Sequence, residues 1–310
     1  MGTFHVSPAP WIPFRDEKEL ERVRNIKRAD FEKHWNPDFK IRVVPNPVGI
    51  LIADVFTRIK ESDEQDKKLT MVFPNPWSKT YRTIATLINR AGVNCRNVNM
   101  FAMDEFADED GNVAPLSYPS GLGHAFKKYF YDEIDPDLRM PENQFHYLTQ
   151  ENYLHYSDLI DEAGDGGADV IYAACGWPAH TAFIDPDTEA FHADTPEEWK
   201  QLTSRFVVNH PLSVAENSLF PVFGSSGDVA NVPYCSVTIG PRDIQHARLR
   251  FDIHSFAEID GVSSWQRMAS RLAIHGPVSL QIPMSFDQEL RTDVFVSEEV
   301  ANDIVVSDYM

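Results

Sequence analysis

The stretch Asp169–Pro186, DVIYAACGWPAHTAFIDP, runs an apolar segment straight into a short loop that carries a histidine and an acid. Its first half, Asp169 to Cys175, reads as a strand, and the loop behind it presents His180 and Asp185 where that strand ends. In open sheets of parallel strands, ligands gather at the carboxyl ends of the strands. A titratable imidazole and a carboxylate are therefore well placed there for proton transfer. A lone histidine at such a junction also serves as a turn cap or a core hydrogen-bonding group, so the rest of the chain must supply a constellation.

Outward from this junction the same pattern recurs. Leu69 to Phe73 (LTMVF) reads as a strand, followed by a helix with Tyr81, Ile84, Leu87 and Ile88 on one face. Ser78 is its expected cap and Gly92 its stop. Asn97 to Met103 (NVNMFAM) reads as another strand, then an acidic loop beginning DEFADEDG, then a helix LGHAFKKYFYDEI. Cys235–Gly240, Ala247–His254 and Pro277–Pro283 are further strand candidates. Between the last two, Ser263 or Ser264 starts a helix with Trp265, Met268, Ala269 and Leu272 on one face, stopped at Gly276-Pro277. Strands alternating with helices predict an α/β fold: a doubly wound, mainly parallel, Rossmann-like sheet covered on both faces. Residues 1–46 are expected as an extension packed on the domain, with a surface helix in ELERVRNIKRADFEKHW. Residues 47–310 are expected as a single α/β domain. It opens with a helix from Pro47 to Lys60 and a charged linker, ESDEQDKK. Residues 187–232 yield only a loop insert, HADTPEEWKQ, and a turn at FGSSGD.

Composition narrows the function. With 47 acidic against 28 basic residues the formal charge is -19, which argues against nucleic acid or an anionic membrane as the main partner. Three cysteines, an odd number without metal-type spacing, give neither a disulfide framework nor a metal site. The amino-terminal MGTFHVSPAPWIPFRDEKEL lacks a secretion-type pattern, Val6 argues against myristoylation, and no run reaches membrane-spanning length. A cytoplasmic location is expected. An apolar seam along the extension leaves room for a homo-oligomer.

Three loops at the carboxyl ends of candidate strands are expected to converge: PNPWSKT, MDEF and GWPAHTAFIDP. Asp104 and Glu105 are adjacent, so extended backbone points them to opposite sides, one into the cleft and one bracing the loop. In the first loop Ser78 and Lys79 sit where a helix start suits an anion. That loop is glycine-free, and Pro76 removes an amide donor.

These residues resemble the glucosamine-6-phosphate deaminase/isomerase family, whose fold is shared with the 6-phosphogluconolactonases. Met103-Asp104-Glu105-Phe106 is similar to that family's Met-Asp-Glu-Tyr, and Pro115-Leu116-Ser117-Tyr118 to its Pro-Glu-Ser-Tyr. Pro141-Glu142-Asn143 falls where a Pro-x-Glu-Asn element follows. His180-Thr181-Ala182-Phe183-Ile184-Asp185-Pro186 is similar to its His-Ile-Ala-Phe-Asn-Glu-Pro. The chain departs from the pattern at Pro178, where the family has an aspartate, and near Ser213–Asn217, where no counterpart of its phosphate-binding arginine stands. The resemblance implies catalytic roles for Asp104, His180 and Asp185, and substrate contacts from Ser78, Lys79, Glu105, Gly176 and Arg267. It implies a small-molecule sugar or sugar-phosphate substrate with no metal and no organic cofactor. The activity implied is ring opening and isomerisation or deamination of the sugar. Lactone hydrolysis on the same fold, or sugar binding without catalysis, is the alternative.

Overall fold

The computed structural model describes residues 6–74, 77–255 and 266–305. Seven strands form one parallel sheet: β1 Phe39–Val44, β2 Leu69–Phe73, β3 Val98–Ala102, β5 Phe145–His146, β6 Val170–Ala174, β9 Arg250–His254 and β10 Thr292–Ser297. The other three, β4 Asp104–Ala107, β7 Arg205–Val208 and β8 Cys235–Thr238, make a small antiparallel sheet in the order β4-β8-β7. The helices in chain order are α1 Glu17–Arg24, α2 Pro47–Gln65, α3 Ser78–Ala91, α4 Leu122–Tyr129 and α5 Tyr156–Ala163. They continue as α6 Pro196–Trp199, α7 Pro211–Asn217, α8 Pro241–His246, α9 Arg267–His275 and α10 Glu298–Ala301.

The order of the large sheet is β1-β10-β9-β6-β2-β3-β5. The chain enters at one edge, crosses to β2 in the interior, steps outward through β3 to β5, and returns through β6 on the other side of β2. The direction of winding therefore reverses between β2 and β6, which is where such a sheet opens a crevice at its carboxyl edge.

Both faces of the sheet are covered, as the alternation of its side chains requires. Met71, Phe73, Met100 and Tyr172 pack with Leu51, Val55 and Ile59 of α2 and with Tyr81, Ile84 and Ile88 of α3. Their neighbours Val72, Phe101, Ile171 and Ala173 pack on the opposite face with Tyr156 and Ile160 of α5 and Ala269 of α9. Each buried valine, leucine, isoleucine, methionine or phenylalanine side chain among them contributes about 1.5–3 kcal/mol by leaving water. Central strands buried on two faces read as unbroken apolar runs, and so β2, β3 and β6 are legible in the sequence.

Several expectations change. The run ESDEQ continues α2, which ends where Asp66 turns left-handed (φ 51°) rather than at Lys60. Residues Phe39–Val44, expected within the extension, add an edge strand alongside β10. Pro277–Pro283 forms no ladder strand: a single bridge joins Ser279 to Ile282, the Ser285 hydroxyl accepts the Ser279 N–H, and a 3-10 helix starts at Pro283. Proline at both ends removes ladder donors there, and the sheet takes β10 instead. Asp104 to Phe106 of the MDEF segment belong to strand β4, not a loop. All four of its residues are buried, and buried backbone polar groups need the pairing that β8 supplies. Ser78 is the first residue of α3, while Trp77 holds the cap position without a side-chain bond. Gly92 (φ 64°) ends that helix as expected. The proposed helix start at Ser263 or Ser264, Trp265, and Asn75-Pro76 of the first loop lie outside the described residues.

Candidate active site at the carboxyl edge of the sheet

The loop after β6 holds an imidazole–carboxylate pair. Ala179 (φ 57°) and Ala182 (φ 53°) flank His180 in left-handed backbone that disfavours a side-chain-bearing residue. Close bonding holds Ala179 there: its N–H donates to Gly176 O (2.9 Å), and Met284 N–H donates to its carbonyl (3.0 Å). His180 Nδ1 bonds Asp185 Oδ1. Asp185 in turn accepts the Ser213 hydroxyl at 2.7 Å and the His210 backbone N–H at 2.7 Å, both from the start of α7. Because an ionised carboxylate only accepts, Nδ1 carries the proton and Nε2 is left as the working atom.

Nε2 points at Gly176, and the carboxylate of Glu216 from α7 stands at the same place. A Cβ on Gly176 would lie 2.1 Å from His180 Nε2 and 2.8 Å from Glu216 Oε2. Glu216 Oε2 is fixed by the Trp177 N–H at 2.8 Å. Burial, eased by His180, pushes the Glu216 carboxyl up to about 7. For the imidazole, burial alone lowers its pKa, but Asp185, Glu216 and Asp104 together hold it above its ordinary 6.5.

Asp104 arrives from the neighbouring strand. The chain leaves β3 at Ala102 and enters the antiparallel sheet at Asp104, opposite Thr238. Its side chain is 4% exposed, and among the described residues nothing hydrogen-bonds its carboxyl. Burial first, then the adjacent Glu105, push that carboxyl up to about 8, with His180 pulling the other way.

Glu105 points to the other side, as the alternation of a strand requires, and its oxygens are occupied. They accept the N–H groups of Phe106 (2.8 Å), Leu122 (2.9 Å) and Gly123 (2.7 Å), which places the carboxyl at the start of α4. Burial pushes it up to about 7 against those three amides.

The expected site residues therefore separate. Asp104, His180, Asp185 and Gly176 come together. Glu105 braces α4, and Ser78 and Lys79 are exposed on the first turn of α3. The Arg267 guanidinium donates to the carbonyls of Asn302 and Asp303. Glu216, Ser213 and the His210 amide join the cluster without a local sequence signal, beyond His210-Pro211 reading as a helix start. A cleft of about 610 Å³ opens on the Asp185 side of the pair. Among the described residues no group of His, Cys, Asp and Glu forms a metal cage, and no helix is long and apolar enough to cross a membrane.

No family model and no curated protein matches this sequence. Solved structures do match it. A monomeric glucosamine-6-phosphate deaminase superimposes with a TM-score of 0.66 at 17% identity, over 86% of this chain and all of the other. The chain has the glucosamine-6-phosphate deaminase and 6-phosphogluconolactonase fold. The 6-phosphogluconolactonase of Trypanosoma cruzi matches with a TM-score of 0.58 at 14% identity, over 89% of this chain and 99% of its own. That of Thermotoga maritima gives 0.56 at 12%, over 83% and 98%. His180 follows β6 and Asp104 follows β3, the two strands that flank β2, and at such identities the likeness carries the architecture and not the reaction.

Proposed function

We propose that the protein is an enzyme that opens and isomerises a sugar by proton transfer without a cofactor, in the manner of a glucosamine-6-phosphate isomerase or deaminase. The observation that carries the reading is the buried, unpartnered Asp104 carboxyl facing an imidazole whose tautomer is fixed by Asp185. His180, as imidazolium, gives its Nε2 proton to the ring oxygen as the bond from that oxygen to the anomeric carbon breaks. The anomeric hydroxyl proton leaves to Glu216. Asp104, as carboxylate, then takes the proton from C2 of the open chain while O1 takes the proton held by Glu216, and it returns that proton to C1 as the hydroxyl or ammonium on C2 gives one to His180 Nε2. A base works best when its pKa lies near the operating pH, and a carboxyl near 8 is such a group.

The test is proton exchange at C2 of hexose and amino-sugar substrates in D2O, followed by NMR. The wild-type chain is expected to exchange and Asp104→Asn to lose exchange by about 100-fold or more while binding persists. Unchanged exchange in Asp104→Asn would reject the assignment. One observation favours a second reading, lactone hydrolysis: the His180–Asp185 pair leaves Nε2 free to activate water. In that case lactone cleavage survives Asp104→Asn and is lost in His180→Ala. Binding without exchange or hydrolysis would reject both.

A further inference from the structure

Every lysine and arginine of the chain lies among the described residues. Among the described residues the positive group acting on Asp104 and on Glu216 is His180 alone. Arg267 gives one nitrogen, Nη2, to the carbonyls of Asn302 and Asp303, while its Nε is buried without a hydrogen-bond partner among the described residues. Lys79 is exposed on the first turn of α3, and among the described residues no lysine acts on the buried acids Asp104 and Glu216. The cleft beside Asp185 continues the trend. Asp187, Glu189 and His192 line it with Phe191 and Leu280, and no lysine or arginine does. The start of α4, whose amides would suit an anion, is filled by Glu105. A phosphate ester would bring about 1.5 to 2 further negative charges into this setting without a partner cation.

We propose that the site takes an amino sugar without a phosphate, its ammonium group against the Glu216 carboxylate beside His180 and its far end a neutral hydroxyl. This rests on the isomerase reading for the reaction, but its binding test does not. An ammonium group favours the ionised forms of Glu216 and Asp104, so its binding releases protons. A phosphate favours the protonated forms and takes protons up.

The experiment is isothermal titration calorimetry on the full chain at pH 7 with D-glucosamine and with D-glucosamine 6-phosphate. Each is run in two buffers of different ionisation enthalpy, alongside C2 exchange by NMR. The expected result is at least about tenfold tighter binding of free glucosamine, with net proton release. Glu216→Gln, checked for an intact melting transition, is expected to remove most of that preference. If that variant does not fold, the wild-type comparison decides alone. Equal or tighter binding of the phosphate ester, or no binding of either sugar, overturns the proposal. Exchange on the phosphate ester would in the first case leave the isomerase reading standing. Preferential binding of glucosamine without exchange would sink the isomerase reading and keep the charge preference.

Discussion

Replacing Gly176 by alanine places a methyl group 2.1 Å from His180 Nε2, 2.5 Å from its Cδ2 and 2.8 Å from Glu216 Oε2. Gly176 is not among the residues at positive φ, so the backbone tolerates alanine and the conflict is purely steric. Ordinary contact begins near 3.4 Å, so the imidazole must retreat by more than about 1 Å. It has nowhere to go while Nδ1 stays on Asp185, which Ser213 and the His210 amide hold at 2.7 Å each. The ring therefore rotates off its carboxylate, or the loop moves. Overpacking of this kind costs about 1–3 kcal/mol of stability. A base misplaced by about 1 Å costs about 100-fold in rate, or roughly 2.7 kcal/mol of barrier. Two measurements follow the change. C2 exchange should fall about 100-fold, and the NMR titration of His180 should move back toward 6.5 as Asp185 and Glu216 lose contact with the ring. A Gly176→Ala protein that keeps both wild-type exchange and the raised imidazole pKa would refute this geometry.

Three other outcomes follow from the same carboxyl groups. Glu105→Ala strips the two amides at the start of α4 and the Phe106 amide of β4 of their acceptor and should lower stability by roughly 3 kcal/mol, with Glu105→Gln losing less; urea titration checks this, and an effect under about 0.5 kcal/mol would deny the bracing role. Asp104 and Glu216 sit near 8 and 7 in the folded chain but release their protons near 4 when unfolded. Between those limits the native state holds more protons, so stability falls as pH rises, by up to about 1.4 kcal/mol per unit for each group. His180, also raised, adds a contribution present below about 6.5 and lost as pH climbs through its folded value. The melting temperature should accordingly be higher at pH 5 than at pH 8, and a rise over that range would contradict the burial of these acids. Asp104→Asn, which removes the most strongly shifted of them, should raise the melting temperature at pH 8 and change it much less at pH 5.

What the sequence made legible follows physical lines. Strands β2, β3 and β6 are short apolar runs because they are covered on both faces, and the reversal between β2 and β6 follows from their order. Strand β4 was hidden because its sequence, DEFA, begins with two acids, and polar residues signal loops unless tertiary packing buries them. The one-in, one-out placement of Asp104 and Glu105 needed only strand geometry, and it holds. Pro178 stands in the loop where the resembled family has an aspartate. Glu216 brings a carboxylate to the imidazole from α7, across 39 positions of sequence to Trp177, and no local pattern announces a contact of that range.

The contrast between the two neighbouring acids of β4 bears most directly on function. Glu105 and Asp104 are equally buried, yet Glu105 accepts three amide N–H groups and Asp104 accepts none. Neither Asp104 oxygen is among the fully enclosed atoms without a partner, so the carboxyl keeps an opening to solvent, and holding it there costs free energy chiefly once it is charged. A structural role needs no such expense, since asparagine or an apolar residue would fill the position with less loss. The same strand shows that the fold can satisfy a buried carboxyl when it has to. One without a hydrogen-bond partner, set just beyond β3 and acting on an imidazole of fixed tautomer, is accounted for by a ligand that supplies the missing partner, and that is the physical reason to begin with Asp104 in testing the reaction.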